Sequence, residues 1–91
     1  MTRDAAETLG LEALVEIASD PDRLGRFLDL TGLSPAELRA RAADPQTLAA
    51  VLDFVMSSEE HAAAFCAARQ LKPDALQRLR AALPGGDPAW S

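Results

Sequence analysis

The sequence predicts an all-α fold, a compact bundle of five to six short helices. Two observations carry that prediction. Polar or proline-marked helix starts recur at Asp20-Pro21, Ser34-Pro35, Asp44-Pro45, Ser57-Ser58 and Lys72-Pro73. Between these marks the apolar residues repeat at the three- and four-residue spacing of a helix with one buried face. Length bounds the rest: 91 residues make one domain, near the smallest size that holds a core without staples. The apolar fraction of 48% is ample. Alanine supplies much of it, so the large anchors reduce to Phe27, Phe54, Phe65, Trp90 and the Leu, Val and Ile set.

The first helix is expected from about Asp4 to Ser19. Ala6, Leu9, Ala13, Leu14 and Ile17 form one stripe, and Leu11, Val15 and Ala18 widen it. A helix apolar over so much of its circumference belongs at the centre, with Glu7, Glu12 and Glu16 marking its solvent side. Asp20 then caps a second helix with Pro21 at its first position, where a missing N–H costs nothing. Leu24, Phe27, Leu28 and Thr31 share its inner face, and Gly32 is its expected left-handed stop.

Ser34-Pro35-Ala36-Glu37 has the form of a capping box, with Leu33 and Leu38 placed as a hydrophobic staple. Asp44-Pro45 opens a fourth helix with Leu48, Val51, Leu52 and Val55 inward, and this helix too is expected at the centre. Phe54 and Met56 fall off that stripe and need a second neighbour. Ser57 or Ser58 caps a fifth helix, with Glu60 in box position for Ser57. Pro73 opens a sixth, with Leu76, Leu79 and Leu83 facing in. The reading gives a single helical domain over 1–83 and a Pro/Gly-rich C-terminal tail over 84–91 that carries Trp90.

A weak internal echo runs through the chain. Shifted by 38 residues, Phe27, Leu33, Pro35 and Leu38 fall on Phe65, Leu71, Pro73 and Leu76. Each copy reads as helix, Leu-x-Pro turn, helix. Similar hairpins or an old duplication both account for it, and neither assigns a function.

Composition excludes more than it assigns. Net charge −5 opposes general nucleic-acid binding, which rests on Lys and Arg meeting phosphates, and opposes anionic membrane surfaces. The start Met1-Thr2-Arg3-Asp4 lacks the basic patch and apolar run of a secretory signal, and the apolar runs are too short to span a bilayer. A cytoplasmic location is expected. A zinc site needs three or four ligands, whereas the chain has one His and one Cys. His61 and Cys66, five residues apart on a helix, point in different directions. His61 is expected exposed in a first turn and Cys66 buried as a small hydrophobe. No glycine-rich phosphate loop opens a helix, and no cofactor is implied. Acidic pairs such as Asp20 with Asp22, and Glu59 with Glu60, fall at helix starts. Arg39, Arg41, Arg69, Arg78 and Arg80 fall late in theirs. Solvated charge matched to the helix dipole accounts for both sets.

Two constellations point outward. Phe27 through Arg41 reads as a helix-turn-helix whose second helix would bring Arg39 and Arg41 to a major groove. The overall acidity and the flanking Glu37 and Asp44 weigh against it. Trp90 is the other: a lone indole of large area, of a type enriched at interface hot spots. Leu30, Phe54 and Met56, all off their stripes, are the candidate surface to meet it or a partner.

The residues also resemble a known family. Thr31-Gly32, Glu37-Leu38-Arg39, Leu48 with Ala50-Val51-Leu52-Asp53-Phe54, Phe65-Cys66, Ala81-Ala82-Leu83-Pro84-Gly85-Gly86 and Trp90 occur in an order and spacing similar to the domain-of-unknown-function 3572 family, small proteins of alphaproteobacteria. The resemblance runs from Glu7 onward. It implies no activity, cofactor or catalytic residue. It does imply that Pro84-Gly85-Gly86 and Trp90 are features of the type. Family members often carry His before the terminal Trp, where this chain has Ala89, so a role resting on that His does not transfer.

The functional expectation is a small non-enzymatic interaction or adaptor module, acting on a protein partner or as a homodimer. The alternatives are a transcription-associated DNA-binding domain using Arg39 and Arg41, and an accessory subunit of an enzyme complex.

Overall fold

Six α-helices follow one another in the computed structural model, which describes residues 3–83: α1 Arg3–Ala18, α2 Pro21–Thr31, α3 Pro35–Ala40, α4 Pro45–Met56, α5 Glu59–Ala68 and α6 Pro73–Ala81. No strand occurs among the described residues. Local chemistry sets the helix starts. Asp20, extended at φ −118°, accepts the N–H groups of Asp22 and Arg23 on Oδ1 at 3.0 and 3.4 Å. Ser34 Oγ accepts from the Glu37 N–H at 3.1 Å, while Glu37 Oε1 accepts from the Ser34 N–H at 3.0 Å. The box is therefore closed from both sides, and those bonds, the backbone one first, hold the Glu37 carboxyl below its ordinary pKa. Asp44 caps α4 through the Gln46 N–H. Ser58, not Ser57, caps α5 by accepting from the His61 N–H at 3.2 Å. Ser57 instead closes α4, its hydroxyl donating to the Phe54 carbonyl. Lys72 precedes α6 without any side-chain cap.

Turn conformations explain the stops. Gly32 takes φ +73° and its N–H donates to the Leu28 carbonyl at 2.8 Å, the left-handed ending expected of glycine. Gln70 takes φ +54° between α5 and α6, a conformation in which its Cβ is crowded.

The core is built from Ala6, Ala13, Leu14 and Ile17 of α1, Phe27 of α2, Leu48, Val51, Leu52 and Val55 of α4, Phe65 and Cys66 of α5, and Leu76 and Leu79 of α6. Phe27, Phe65 and Ile17 are among the side chains wholly out of water. α1 and α4 make the most extensive helix pairing, and both also meet α2 and α6. The expectation that they are central is met. Their approach is close because α1 offers Gly10: a Cβ there would lie 3.0 Å from Leu48 Cβ.

Three expectations need correction. Leu11, Val15 and Ala18 do not widen the buried stripe of α1. Val15 is 68% exposed and Leu11 39%, and Ala18 is exposed as well. The six-helix arrangement covers only the Ala6–Gly10–Ala13–Leu14–Ile17 side. Arg69 and Arg80 are not solvated dipole partners either. The Arg69 Nε donates to Glu12 Oε1 at 2.8 Å, a second guanidinium nitrogen meets Glu16, and Cζ lies 3.9 Å above the Phe65 ring. Burial opposes its charge, but the two carboxylates outweigh that and raise its pKa. Arg80 is buried and its Nε donates to Asp53 Oδ1 at 2.7 Å, tying α6 to α4. Arg78, paired within its own helix to Asp74, does behave as expected. The third correction is His61, buried rather than exposed.

Candidate functional site

The candidate site is a groove between α2 and the α4–α5 junction. On α2, Arg23, Arg26, Phe27, Leu30 and Thr31 fall at helical spacing along one side. Phe27 turns into the core, whereas Leu30 is 74% exposed. Opposite stands Phe54 of α4, half-buried and edge-on to Phe27, with ring centroids 5.5 Å apart and planes at 80°. Phe54 also meets His61 edge-on at 6.2 Å and 82°. One ring therefore joins three helices, which answers why it lies off the α4 stripe.

The groove has two ends. A cavity of about 210 Å³ lies among Phe27, Leu30, Thr31, Ala50, Asp53, Phe54 and Ser57. A second of about 320 Å³ lies among Arg23, Arg26, Leu30, Phe54, Ser57, Ser58, Glu60 and His61. They share Leu30, Phe54 and Ser57, so they adjoin one another along the groove, one end apolar and the other polar.

His61 is the unusual group of the polar end. It is only 4% exposed, and its Nε2 is buried without a hydrogen-bond partner. Burial first, and then the nearby Arg23 charge, lower its pKa against the opposing pull of Glu16 and Asp20. Burial and the Arg23 charge therefore favour the neutral ring. Its burial follows from register: His61, Phe65 and Arg69 share one face of α5 at four-residue steps. That spacing was present in the sequence, and so was the Arg23–Arg26–Leu30 line on α2. Residue type alone hides both, since only the helical face each residue shares with its neighbours brings them together.

Of the candidate contacts, Leu30 and Phe54 are brought together. Met56, in the last turn of α4, is half-buried against the core and does not line the groove. Trp90 lies outside the described residues. Arg39 on α3 and Arg41 at its C-cap are exposed and apart from the groove, on a helix of six residues. Cys66 is buried, its thiol pKa raised by burial against a smaller opposing effect of Arg69, which disfavours the reactive thiolate. Among the described residues, no three His, Cys, Asp or Glu side chains are placed to hold a metal ion, and no helix is long and apolar enough to cross a membrane.

A family model described as a protein of unknown function, DUF3572, matches residues 3–86. The chain belongs to the DUF3572 family. The match takes in all six helices and stops short of Trp90. No curated protein and no solved structure matches the chain. Within this DUF3572 protein, then, the groove and its residues are the basis for a functional reading.

Proposed function

We propose that this DUF3572 protein is a non-enzymatic protein-interaction module whose α2/α4–α5 groove receives an apolar side chain of a partner. One observation carries the reading. Leu30, a large apolar residue, is about three-quarters exposed at the lip of an apolar depression lined by Phe27, Ala50 and Phe54. A side chain seated there removes Leu30 and the Phe54 edge from solvent at about 25 cal/mol per Å² of apolar area. Surfaces of this kind, small and centred on a few apolar anchors, suit a partner's helix or extended segment. Trp90 is the second contact in this reading.

The test is a pull-down from host lysate, treated with nuclease and read by quantitative mass spectrometry, with wild type beside Leu30→Glu, Val15→Glu and Trp90→Ala. Val15 controls for a generic loss of exposed apolar surface, since it lies on α1 away from the groove. A stoichiometric partner retained by Val15→Glu and lost with Leu30→Glu is the expected result. Loss with Val15→Glu alone would move the interface to the exposed face of α1, and a partner retained by every variant would discard the groove. Sedimentation of wild type and Leu30→Glu in parallel reports whether the partner is a second copy of the chain.

A further inference from the structure

The polar end of the groove carries two arginines, Arg23 and Arg26, against one glutamate in its lining, in a protein whose net charge is −5. Arg23 and Arg26 lie three residues apart on α2, on neighbouring positions of the helix surface. Arg26 is in no ion pair among the described residues. Arg23 is tied to Asp20 at 3.7 Å, an exposed pair within one helical turn, which is a weak hold in water. Glu60 is the acidic group among the lining residues of this end. Beneath them sits His61, nine-tenths buried, with a nitrogen that no described residue answers. Leaving such a nitrogen unpaired is costly, and a lining built this way is more than an incidental dent between helices.

We propose that the groove is a receptor for a partner segment carrying a carboxylate side chain beside a large apolar one. The apolar side chain lies against Phe27, Leu30 and Phe54, and the carboxylate is held by the Arg23 and Arg26 guanidinium groups. This rests on the interaction reading above and adds the chemistry of the partner. The two cavities share Leu30, Phe54 and Ser57, so neighbouring side chains of one short segment reach both. Guanidinium groups bind carboxylates through paired, charge-assisted hydrogen bonds, and the acidic remainder of the surface repels acidic segments elsewhere. The charged groups around His61 are Arg23, Glu16 and Asp20, with Glu60 on the same rim. A carboxylate arriving there favours the imidazolium.

The test titrates isotope-labelled full chain with short acetylated and amidated peptides, followed by NMR. Each peptide carries one Glu and one Leu at separations of one to four residues, and each has a Gln counterpart. The Leu30 methyls, the Arg23 and Arg26 Nε–H signals and the His61 ring signals are expected to move together. The Glu peptide that fits should bind at least about tenfold more tightly than its Gln counterpart and raise the His61 pKa. The double variant R23Q/R26Q, at one half-buried and one exposed position and checked for unchanged circular dichroism and melting temperature, should erase that difference while leaving the Gln peptide's affinity intact.

Equal binding of Glu and Gln peptides at Leu30 would overturn the carboxylate assignment and leave the interaction module standing. Full displacement of the Glu peptide by equimolar acetate or inorganic phosphate would make this a small-anion site and overturn the proposal. Tighter peptide binding by Trp90→Ala would assign the groove to this chain's own segment 84–91, where Asp87 precedes Trp90 by three residues, rather than to a partner. No movement at Leu30 with any peptide would also overturn it, while the pull-down with Leu30→Glu decides the interaction reading separately.

Discussion

His61 concentrates the physics of this protein in one side chain. It is buried without a partner for Nε2 and sits beside Arg23, so its folded-state pKa lies below the unfolded value of 6.5. Between the two values the unfolded chain binds more protons than the folded one, so stability rises with pH across that window. The contribution is complete above pH 6.5 and is lost as pH falls through the folded-state value. Thermal melts from pH 8 to pH 5 should show the melting temperature falling below about pH 6.5, with His61→Leu removing that slope. Glu37 acts in a lower window: depressed from 4.5, it supports the fold above that pH and loses its effect as pH falls through the folded-state value. At pH 7, His61→Leu should stabilise by about 1 kcal/mol, because it deletes an unanswered polar atom and keeps an apolar body against Phe54. A loss of stability instead would show that Nε2 has a partner. Residue type alone misread this histidine. A His in a first helical turn is usually solvated, and only its four-residue step to Phe65 points inward.

At the scale of the element, much was legible because caps are local. Asp20, Ser34 and Asp44 each satisfy N–H groups within three residues of themselves, and such bonds need no knowledge of the rest of the fold. What was not legible is which face a helix buries when apolar residues surround it. The Leu11–Val15–Ala18 side of α1 is as apolar as its inner side, and the choice is made by tertiary packing, through Gly10. That glycine is the deciding feature. Gly10→Ala gains helix propensity but drives a Cβ to 3.0 Å from Leu48 Cβ, an atom fixed to the α4 backbone. It should destabilise by about 1–2 kcal/mol. Gly25→Ala, also inside a helix, meets nothing within 4 Å and should stabilise by about 0.5–1 kcal/mol. Chemical denaturation of the pair checks both signs. Equal effects would show that Gly10 does not set the α1–α4 approach.

Across the whole molecule the 38-residue echo is matched in environment. Phe27 and Phe65 are both buried in the first helix of their hairpins. Leu33 and Leu71 are half-buried in the turns, Pro35 and Pro73 open the second helices, and Leu38 and Leu76 are buried beyond them. The same shift carries Gly32 onto Gln70, and both take positive φ, at +73° and +54°. The backbone of the second hairpin thus keeps a conformation for which its residue is poorly suited. Gln70→Gly should stabilise by about 1 kcal/mol, read as a higher denaturation midpoint with an unchanged slope. No change would mean that Gln70 relaxes out of the left-handed region at little cost. The long-range ties were beyond sequence reading: Arg69 to Glu12 and Glu16, and Arg80 to Asp53, join helices whose proximity exists only after folding.

The central place of α1 bears on how the chain is made. α1 is made before the other five helices, and beyond its neighbour α2 its broadest partner is the later α4, with α6 packed on it as well. Until α4 and α6 emerge, α1 has only α2 to pack against, so its inner face of Ala13, Leu14 and Ile17 is incompletely covered, and the outer Leu11 and Val15 are exposed in any case. In that interval α1 shows apolar residues on two sides, a surface open to non-specific association. The core is accordingly complete only once the non-local α1–α4 and α1–α6 pairings have closed over the earlier α1–α2 pair.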